Sequence, residues 1–304
     1  MGSRCENPVL FLGMPRSGTT VLFELVIRNK LFAWPSNFTE RWPATPALNF
    51  WRRVLENKLF SLPGEKGENG GRRKFNRLRV RPSEAYDFWD KVSGVHFARS
   101  YLLETVPDEC SIRRMRHAVE AIKRWQGKRK FAAKFTGPGR VRFLTEAYPD
   151  ALFVHVVRDG RAVVHSLLNV PFWRDKGGLS QPFWSGGLTK GDRDELAAAG
   201  NDPHVLAAVQ WRRVVETTEE ELSLLPDRRH IKVRYEDLTD APEQVLARLF
   251  DFLAIDVDSD WLRKQISAAG LANMNYKYHR DFSKSLIDRM SSIMQPALAN
   301  QGYL

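Results

Sequence analysis

A strand, a glycine loop and a helix in direct succession constrain the fold of this chain more than any other feature. Residues 9–13 (VLFLG) form the short apolar run that is typical of a buried strand. After the loop, apolar residues recur at the spacing of one helical face: Val21, Leu22, Leu25 and Val26. A helix that begins directly after such a loop presents free backbone amides and the positive end of its dipole, and therefore favours a bound anion.

The loop has the glycine spacing of a nucleotide phosphate-binding loop but lacks its lysine. Gly13 and Gly18 match G-x-x-x-x-G-K-[ST], Thr19 occupies the lysine position, and Thr20 completes the pattern. The cation in the loop is instead Arg16, whose planar guanidinium can bind two oxygens at once. Since the lysine normally accompanies a magnesium-bound triphosphate, we predict an anion site without a metal.

Strands and helices alternate along the rest of the chain. Further strands are predicted at residues 130–135, 152–157 and 231–235, each followed by a turn or a helical pattern. Such alternation predicts an α/β fold with a central parallel sheet and helices on both faces. No repeat or linker interrupts the pattern, so we expect residues 1–304 to form a single domain.

Two irregular stretches separate these elements. Residues 63–82 are rich in glycine and charge and predict an exposed loop. Residues 171–202 mix aromatic residues with glycines, which is typical of a long loop that covers a substrate.

RDGRAVVHS, residues 158–166, is a second candidate anion site. Arg158 follows a predicted strand, and the carboxyl ends of strands are where α/β proteins bind ligands. Ser166 lies eight residues further on, about two helical turns away. The pair can hold a second phosphate apart from the first, but taken alone an arginine and a serine at this spacing are better explained as solvated surface residues.

Composition limits the cellular setting and the partners. The net charge of +11 is compatible with an anionic ligand, a nucleic acid or an anionic membrane surface. Cys5 and Cys110 cannot build a disulfide framework, and no apolar run approaches the length of a membrane span. We therefore expect a soluble cytoplasmic protein with no transmembrane segment, and peripheral membrane contact stays open.

Taken together, the motifs resemble the nucleotide-binding signatures of the sulfotransferases that use 3′-phosphoadenosine 5′-phosphosulfate (PAPS). PRSGTT (15–20) and VRDGRAVVHS (157–166) are nearest to the protein-tyrosine and carbohydrate branches and their bacterial relatives. VRYEDL (233–238) and Lys134 extend the resemblance from residue 8 to about residue 255. The resemblance implies a P-loop-type three-layer α/β sandwich with long substrate-covering loops, PAPS as donor and no metal.

The resemblance also implies roles for individual residues. One group would hold the 5′-phosphosulfate of the donor: Arg16, Ser17, Gly18, Thr19 and Thr20. Arg158 and Ser166 would hold its 3′-phosphate. Tyr235 would lie beside the nucleotide, and Lys277 in NYKYHR (275–280) would return a cation to it.

Sulfuryl transfer to a hydroxyl needs a base and a cation near the departing phosphate oxygen. By the resemblance, Lys134 stabilises the leaving group with Arg16 beside it. Glu40 is our candidate base, because related branches use a glutamate beyond the loop. His96 and Glu84 are the alternatives for that role.

The acceptor is not identified by the sequence. Several tryptophans lie outside the predicted sheet: Trp34, Trp42, Trp51, Trp89, Trp173 and Trp184. Their aromatic faces suit hydroxylated small molecules, carbohydrates and glycolipids alike. These tryptophans are equally explained as core residues that anchor long loops. A P-loop kinase-like phosphotransferase would need the same loop and sheet. A basic nucleic-acid-binding protein would use residues 72–81 and 113–130, but would leave the nucleotide signatures unexplained, so we predict no nucleic-acid partner.

Overall fold

The computed structural model describes residues 7–55 and 80–304. Within these ranges one parallel sheet has the strand order β2-β3-β1-β4-β5. Its strands are β1 (Val9–Gly13), β2 (Phe32–Ala33), β3 (Lys130–Thr136), β4 (Leu152–Val157) and β5 (His230–Arg234). The predicted central parallel sheet is confirmed, and the four predicted strands match β1, β3, β4 and β5 to within one residue at each end.

Helices surround the sheet in the described residues. The first group is α1 (Thr19–Ile27), α2 (Asn37–Arg41), α3 (Phe50–Leu55), α4 (Tyr86–Ser93), α5 (Glu109–Gln126), α6 (Val141–Ala147), α7 (Gly160–Leu168) and α8 (Pro171–Asp175). The second group is α9 (Lys190–Ala198), α10 (Pro203–Ser223), α11 (Tyr235–Asp240), α12 (Pro242–Phe252), α13 (Ser259–Ala269), α14 (Tyr276–Asp281) and α15 (Lys284–Asn300). Short 3-10 turns lie at Pro46–Asn49, Phe97–Arg99 and Asp227–Arg229.

Strand β1 is buried along its whole length because helices cover both faces of the sheet. Val9 and Phe11 pack with apolar residues of α1, α12 and α13 on one face. Leu10 and Leu12 pack with α4, α5 and α6 on the other face. A further apolar cluster joins α7, α10 and α15. The predicted three-layer arrangement is therefore present, with the sheet as its middle layer.

The order of the strands creates a crevice at one point of the sheet. From β1 the chain runs towards β2 at one edge, whereas from β4 it runs to β5 at the other edge. Adjacent strands whose connections diverge leave an open cleft at their carboxyl ends, which is the usual ligand position in such sheets. The glycine loop follows β1 and Arg158 follows β4, so both candidate anion sites border this cleft.

The irregular stretches differ from their prediction. The long loop expected at residues 171–202 is interrupted by α8 and α9. Trp173 and Trp184 in this stretch are buried, because they pack in the cluster of α7, α10 and α15. Residues 63–79 of the predicted exposed loop lie outside the described residues. In the described parts of the chain, every helix is too short or too polar to span a bilayer.

Candidate functional site

A cavity of about 1100 Å³ opens at the carboxyl ends of β1 and β4. Its walls include the glycine loop and residues of α2, α4, α7 and α14. Ten of the candidate binding and catalytic residues named from the sequence line it: Arg16, Gly18, Thr19, Thr20, Glu40, Glu84, Arg158, Ser166, Tyr235 and Lys277. Lys134 borders an adjoining cavity of about 370 Å³, whose walls also include Thr20 and Glu40.

The glycine loop has the geometry of an anion cradle. Arg16 and Gly18 both have left-handed backbone conformations, with φ of 74° and 88°. A Cβ atom on Gly18 would lie 2.6 Å from the ring of Tyr235, so this position requires glycine. The hydroxyl of Ser17 is buried and has no hydrogen-bond partner within the described residues. An orphaned buried hydroxyl beside free helix amides fits a bound phosphate or sulfate.

The structure brings the two predicted anion-binding segments into direct contact. The Nε atom of Arg16 donates a hydrogen bond of 2.8 Å to the hydroxyl of Ser166. The Nη1 atom of Arg158 donates one of 2.9 Å to the backbone oxygen of Arg16. The two sites were expected to lie apart, but they form one continuous cationic wall, because β1 and β4 are neighbours in the sheet.

Arg158 is held by three contacts, the first of which is its hydrogen bond to the backbone oxygen of Arg16. Its Nε atom donates to the side-chain oxygen of Asn275 at 2.9 Å, and its guanidinium stacks on the ring of Tyr235 at 4.4 Å. Burial lowers the pKa of Arg158 below its ordinary value, and the neighbouring Tyr235 and Glu236 oppose this shift. A guanidinium nevertheless remains charged at neutral pH. Arg158 therefore presents a preorganised, partly desolvated positive charge to the cavity.

Glu236 is a supporting residue that the sequence analysis missed. Its carboxylate accepts hydrogen bonds from the side chain of Asn275 at 2.6 Å and from the backbone amide of Asp159 at 3.2 Å. The hydroxyl of Tyr303 donates to its other oxygen at 2.7 Å. The sequence signal that could have identified Glu236 is its position directly after Tyr235. Its hydrogen-bond partners, however, come from distant segments of the chain.

Lys134 lies between the start of α1 and the carboxylate of Glu84. Its Nζ atom donates to the Thr20 hydroxyl at 2.7 Å and lies 3.0 Å from Glu84. The other oxygen of Glu84 accepts a hydrogen bond of 2.8 Å from the Thr136 hydroxyl. The hydroxyl of Tyr86 bridges the backbone of Thr136, donating at 2.6 Å and accepting at 2.7 Å. This network fixes the end of β3 and, with it, the ammonium group.

Glu40 and Glu84 both face the cavity but have different surroundings. Burial raises the pKa of Glu40 above 4.5; a hydrogen bond from Ser83 at 3.1 Å lowers it, and the charge of Asp87 raises it. Glu84 is ion-paired with Lys134. His96 is exposed beside the turn Phe97–Arg99 and is not among the described residues that line the cavity. The geometry therefore disfavours His96 as the base.

Charged side chains of both signs line the cavity. The cationic ones are Arg16, Arg99, Arg158, Lys176, Lys277 and Arg280. The carboxylates are Glu40, Glu84, Asp87 and Asp90 on the side of α2 and α4, and Asp281 of α14. An aromatic wall made of Phe172, Phe183 and Trp184 completes the lining, with successive ring centroids 6.3 and 5.0 Å apart. Of the other tryptophans, Trp34, Trp89 and Trp173 are core residues, whereas Trp42 and Trp51 are exposed.

The sequence of this chain is similar to those of known sulfotransferases. The model of the sulfotransferase family matches residues 8–259. An omega-hydroxy-beta-dihydromenaquinone-9 sulfotransferase, Stf3 of Mycobacterium bovis, is 24% identical over 273 residues, covering 82% of this chain. The chain spans 63% of the length of that relative.

Solved structures agree in fold. The sulfotransferase STF9 from Mycobacterium avium superposes with a TM-score of 0.61 at 16% identity, over 98% of this chain and 77% of that one. The sulfotransferase STF1 from Mycobacterium tuberculosis gives a TM-score of 0.54 at 15% identity, over 95% and 76%. Because the family model covers most of the sequence and includes both anion-binding segments, this chain belongs to the sulfotransferase family.

Proposed function

We propose that the protein transfers a sulfuryl group from PAPS to an acceptor hydroxyl, and that residues 1–304 act as one domain in doing so. One observation carries the proposal: the lysine-free glycine loop and the Arg158–Ser166 pair form one cationic wall of a single cavity. A donor with phosphates on both its 5′ and 3′ positions needs two such anion sites next to each other, whereas ATP needs only the first.

The donor fits the residues of this wall. Ser17 offers an unpartnered buried hydroxyl within the described chain, and Gly18 leaves space that a side chain would fill. Thr19 and Thr20 add hydroxyls at the start of α1. Arg158 and Ser166 would hold the 3′-phosphate, with Tyr235 beside the nucleotide and Lys277 of α14 as a further cation. When bound, the donor supplies the sulfuryl group and a phosphate that departs.

The chemistry is assigned to three side chains. Glu40 would take the proton of the acceptor hydroxyl, and its raised pKa makes it a stronger base than an ordinary glutamate. Lys134 and Arg16 would stabilise the negative charge that develops on the departing oxygen. Glu84 would keep Lys134 in place through its ion pair. We propose that no metal takes part, since these cations supply the charge stabilisation.

The acceptor is proposed to be a hydroxyl compound with an apolar body. The aromatic wall of Phe172, Phe183 and Trp184 supports this class, because flat apolar faces bind apolar rings and chains. The name of the mycobacterial relative, which describes a hydroxylated menaquinone as its substrate, points the same way.

Radiolabelled transfer tests the proposal. Sulfate transfer from labelled PAPS to a panel of hydroxylated lipids, quinols and sugars should continue in EDTA. Glu40→Gln should lose most turnover and still bind adenosine 3′,5′-bisphosphate, because removing a base spares the ground-state site. A strict requirement for Mg²⁺ together with phosphate transfer from ATP would instead establish a kinase-like enzyme.

A further inference from the structure

Four large apolar side chains between residues 42 and 54, a stretch that follows the cavity residue Glu40, are exposed. They are Trp42, Phe50, Trp51 and Val54, each between 45% and 53% exposed. We call these four residues the aromatic patch. Phe50 also contacts Trp125 of α5 edge-to-face at 6.4 Å. Large exposed apolar patches mark sites of protein or membrane interaction.

The exposure of the patch follows from how α3 is anchored. Arg52, in the middle of this helix, is buried: it donates to the backbone oxygen of Phe32 at 2.9 Å and stacks on Trp34 at 4.0 Å. The preceding turn is held by the buried Asn49, whose side chain accepts from Gln126 at 2.9 Å. Arg52 therefore points inward, whereas Phe50, Trp51 and Val54 are exposed together with Arg53. The burial of a charged residue beside exposed apolar ones departs from the pattern of an ordinary surface helix.

Arginines border the aromatic patch. Arg41 stacks on Trp42 at 5.3 Å, and Arg53 lies against Gly127 at the end of α5. Arg124 and Arg129 flank that glycine and are exposed. Residues 41–55 and 121–130 contain no aspartate or glutamate, and Glu40, Glu56 and Glu120 directly flank them. Of these three, Glu40 lines the cavity and Glu120 is paired with Lys123. The patch is thus an apolar centre with a cationic border.

We propose that this patch docks the protein on an anionic lipid bilayer. Tryptophan suits the interface between lipid headgroups and acyl chains, and arginines at the border attract anionic headgroups. A protein partner would require shape complementarity, and a nucleic acid would leave the exposed tryptophan and valine side chains unused. Docking would also serve a lipid-borne acceptor, because Trp42 follows the cavity residue Glu40 by two positions. Docking on the bilayer does not require that the protein catalyses sulfuryl transfer.

Vesicle binding by the full chain tests this proposal. The protein should co-sediment with phosphatidylcholine vesicles that contain roughly 30–40% phosphatidylglycerol, which gives a strongly anionic surface. It should co-sediment less with vesicles of phosphatidylcholine alone. Raising the salt concentration should weaken binding, because headgroup attraction is screened. The double variant Trp42→Ser, Trp51→Ser and the double variant Arg53→Glu, Arg129→Glu should each reduce partitioning about tenfold or more.

A matched control removes apolar residues that are at least as exposed but lie elsewhere. Val106→Ser with Leu224→Ser should leave vesicle binding unchanged. Cooperative melting followed by circular dichroism verifies, without relying on donor binding, that all variants fold. The proposal is overturned if the tryptophan variant still binds vesicles like the parent. It is also overturned if the parent binds duplex DNA but not vesicles, or if the patch variants abolish self-association rather than vesicle binding.

Discussion

The guanidinium of Arg16 donates a 2.8 Å hydrogen bond to the hydroxyl of Ser166, which lies 150 residues later in the sequence. This bond joins the loop after β1 to the second turn of α7. Arg158 completes the group by donating to the backbone of Arg16. The effects of substitutions at Arg16, Arg158 and Ser166 on ligand binding are therefore expected to be coupled.

Arg158 should make the protein distinguish its donor from ATP. Leaving a buried phosphate without its charged partner costs about 2–5 kcal/mol in binding. That range corresponds to about 1.5 to 3.5 decades in affinity. Adenosine 3′,5′-bisphosphate should raise the melting temperature clearly, 5′-AMP and ATP should do little, and Arg158→Ala should largely erase the difference. Ser166→Ala should reduce it less, because only a neutral hydroxyl is lost.

Arg161→Ala provides the matched control for Arg158. Arg161 is also an arginine of limited exposure near the same turn, but it pairs with Asp159 at 2.8 Å. It is not among the described residues that line the cavity. Its loss should lower the melting temperature without changing the response to the bisphosphate. Equal calorimetric affinities of ATP and the bisphosphate, unchanged by Arg158→Ala, would contradict the assignment.

Ser17→Ala should weaken anion binding without destabilising the free protein. A buried hydroxyl without a partner carries a desolvation cost of about 1–3 kcal/mol, so its removal should leave the free energy of unfolding unchanged or slightly higher. Affinity for the bisphosphate or for PAPS should fall, as measured by calorimetry. The control is Thr145→Val, because the Thr145 hydroxyl is also buried and unpartnered within the described residues but lies elsewhere. A Ser17→Ala protein that unfolds more easily and binds normally would argue for a structural hydroxyl.

The acid limb of the pH–rate profile should reflect the titration of the Glu40 carboxyl. Burial raises the pKa of this carboxyl, so activity should rise with pH at a midpoint above the ordinary value of 4.5. Ser83→Ala removes a hydrogen bond to the charged form and should move the limb to higher pH. Asp87→Asn removes a like charge and should move it to lower pH. Profiles of kcat/KM for the two variants that shift in the same direction, or not at all, would exclude Glu40 as the titrating base.

Lys134 and Glu84 should act as one unit. Lys134→Met keeps the volume and removes the charge, and loss of such a stabilising donor costs about 10²–10³ in kcat. Glu84→Gln should lose part of the turnover, because Lys134 is then held by Thr20 alone among the contacts described above. The double variant should be no slower than Lys134→Met, and this non-additivity is measured by a double-mutant cycle.

The ion pair of Lys123 and Glu120 offers the control for this cycle. It is similarly sheltered, with a distance of 2.9 Å, but lies on α5. Lys123→Met and Glu120→Gln should leave kcat within a factor of about two, since neither residue lines the cavity. Additive effects of the Lys134 and Glu84 substitutions would show that the carboxylate does not act through the lysine.

The sequence by itself determined the elements whose signals are local. The apolar run 9–13, the glycine loop and the helical spacing after it lie within one short segment, so they predict β1, the cradle and α1 directly. Arg158 and Ser166 were found for the same reason, since both belong to one turn and one helix. Alternation of such units also predicted the parallel sheet and its helical layers.

Only the tertiary structure decided which distant residues meet. Glu84 lies 50 residues before Lys134 in sequence, yet the two are ion-paired because the segment before α4 crosses the end of β3. From sequence, Glu40 was the candidate base and His96 and Glu84 stayed open as alternatives. The packing leaves His96 exposed, whereas Glu40 and Glu84 line the cavity. The exposed aromatic patch was likewise unpredictable, because it depends on Arg52 turning inward onto Trp34. The spacing of apolar residues indicates only which face of a single helix or strand is buried, whereas these relationships are set by contacts between separate elements.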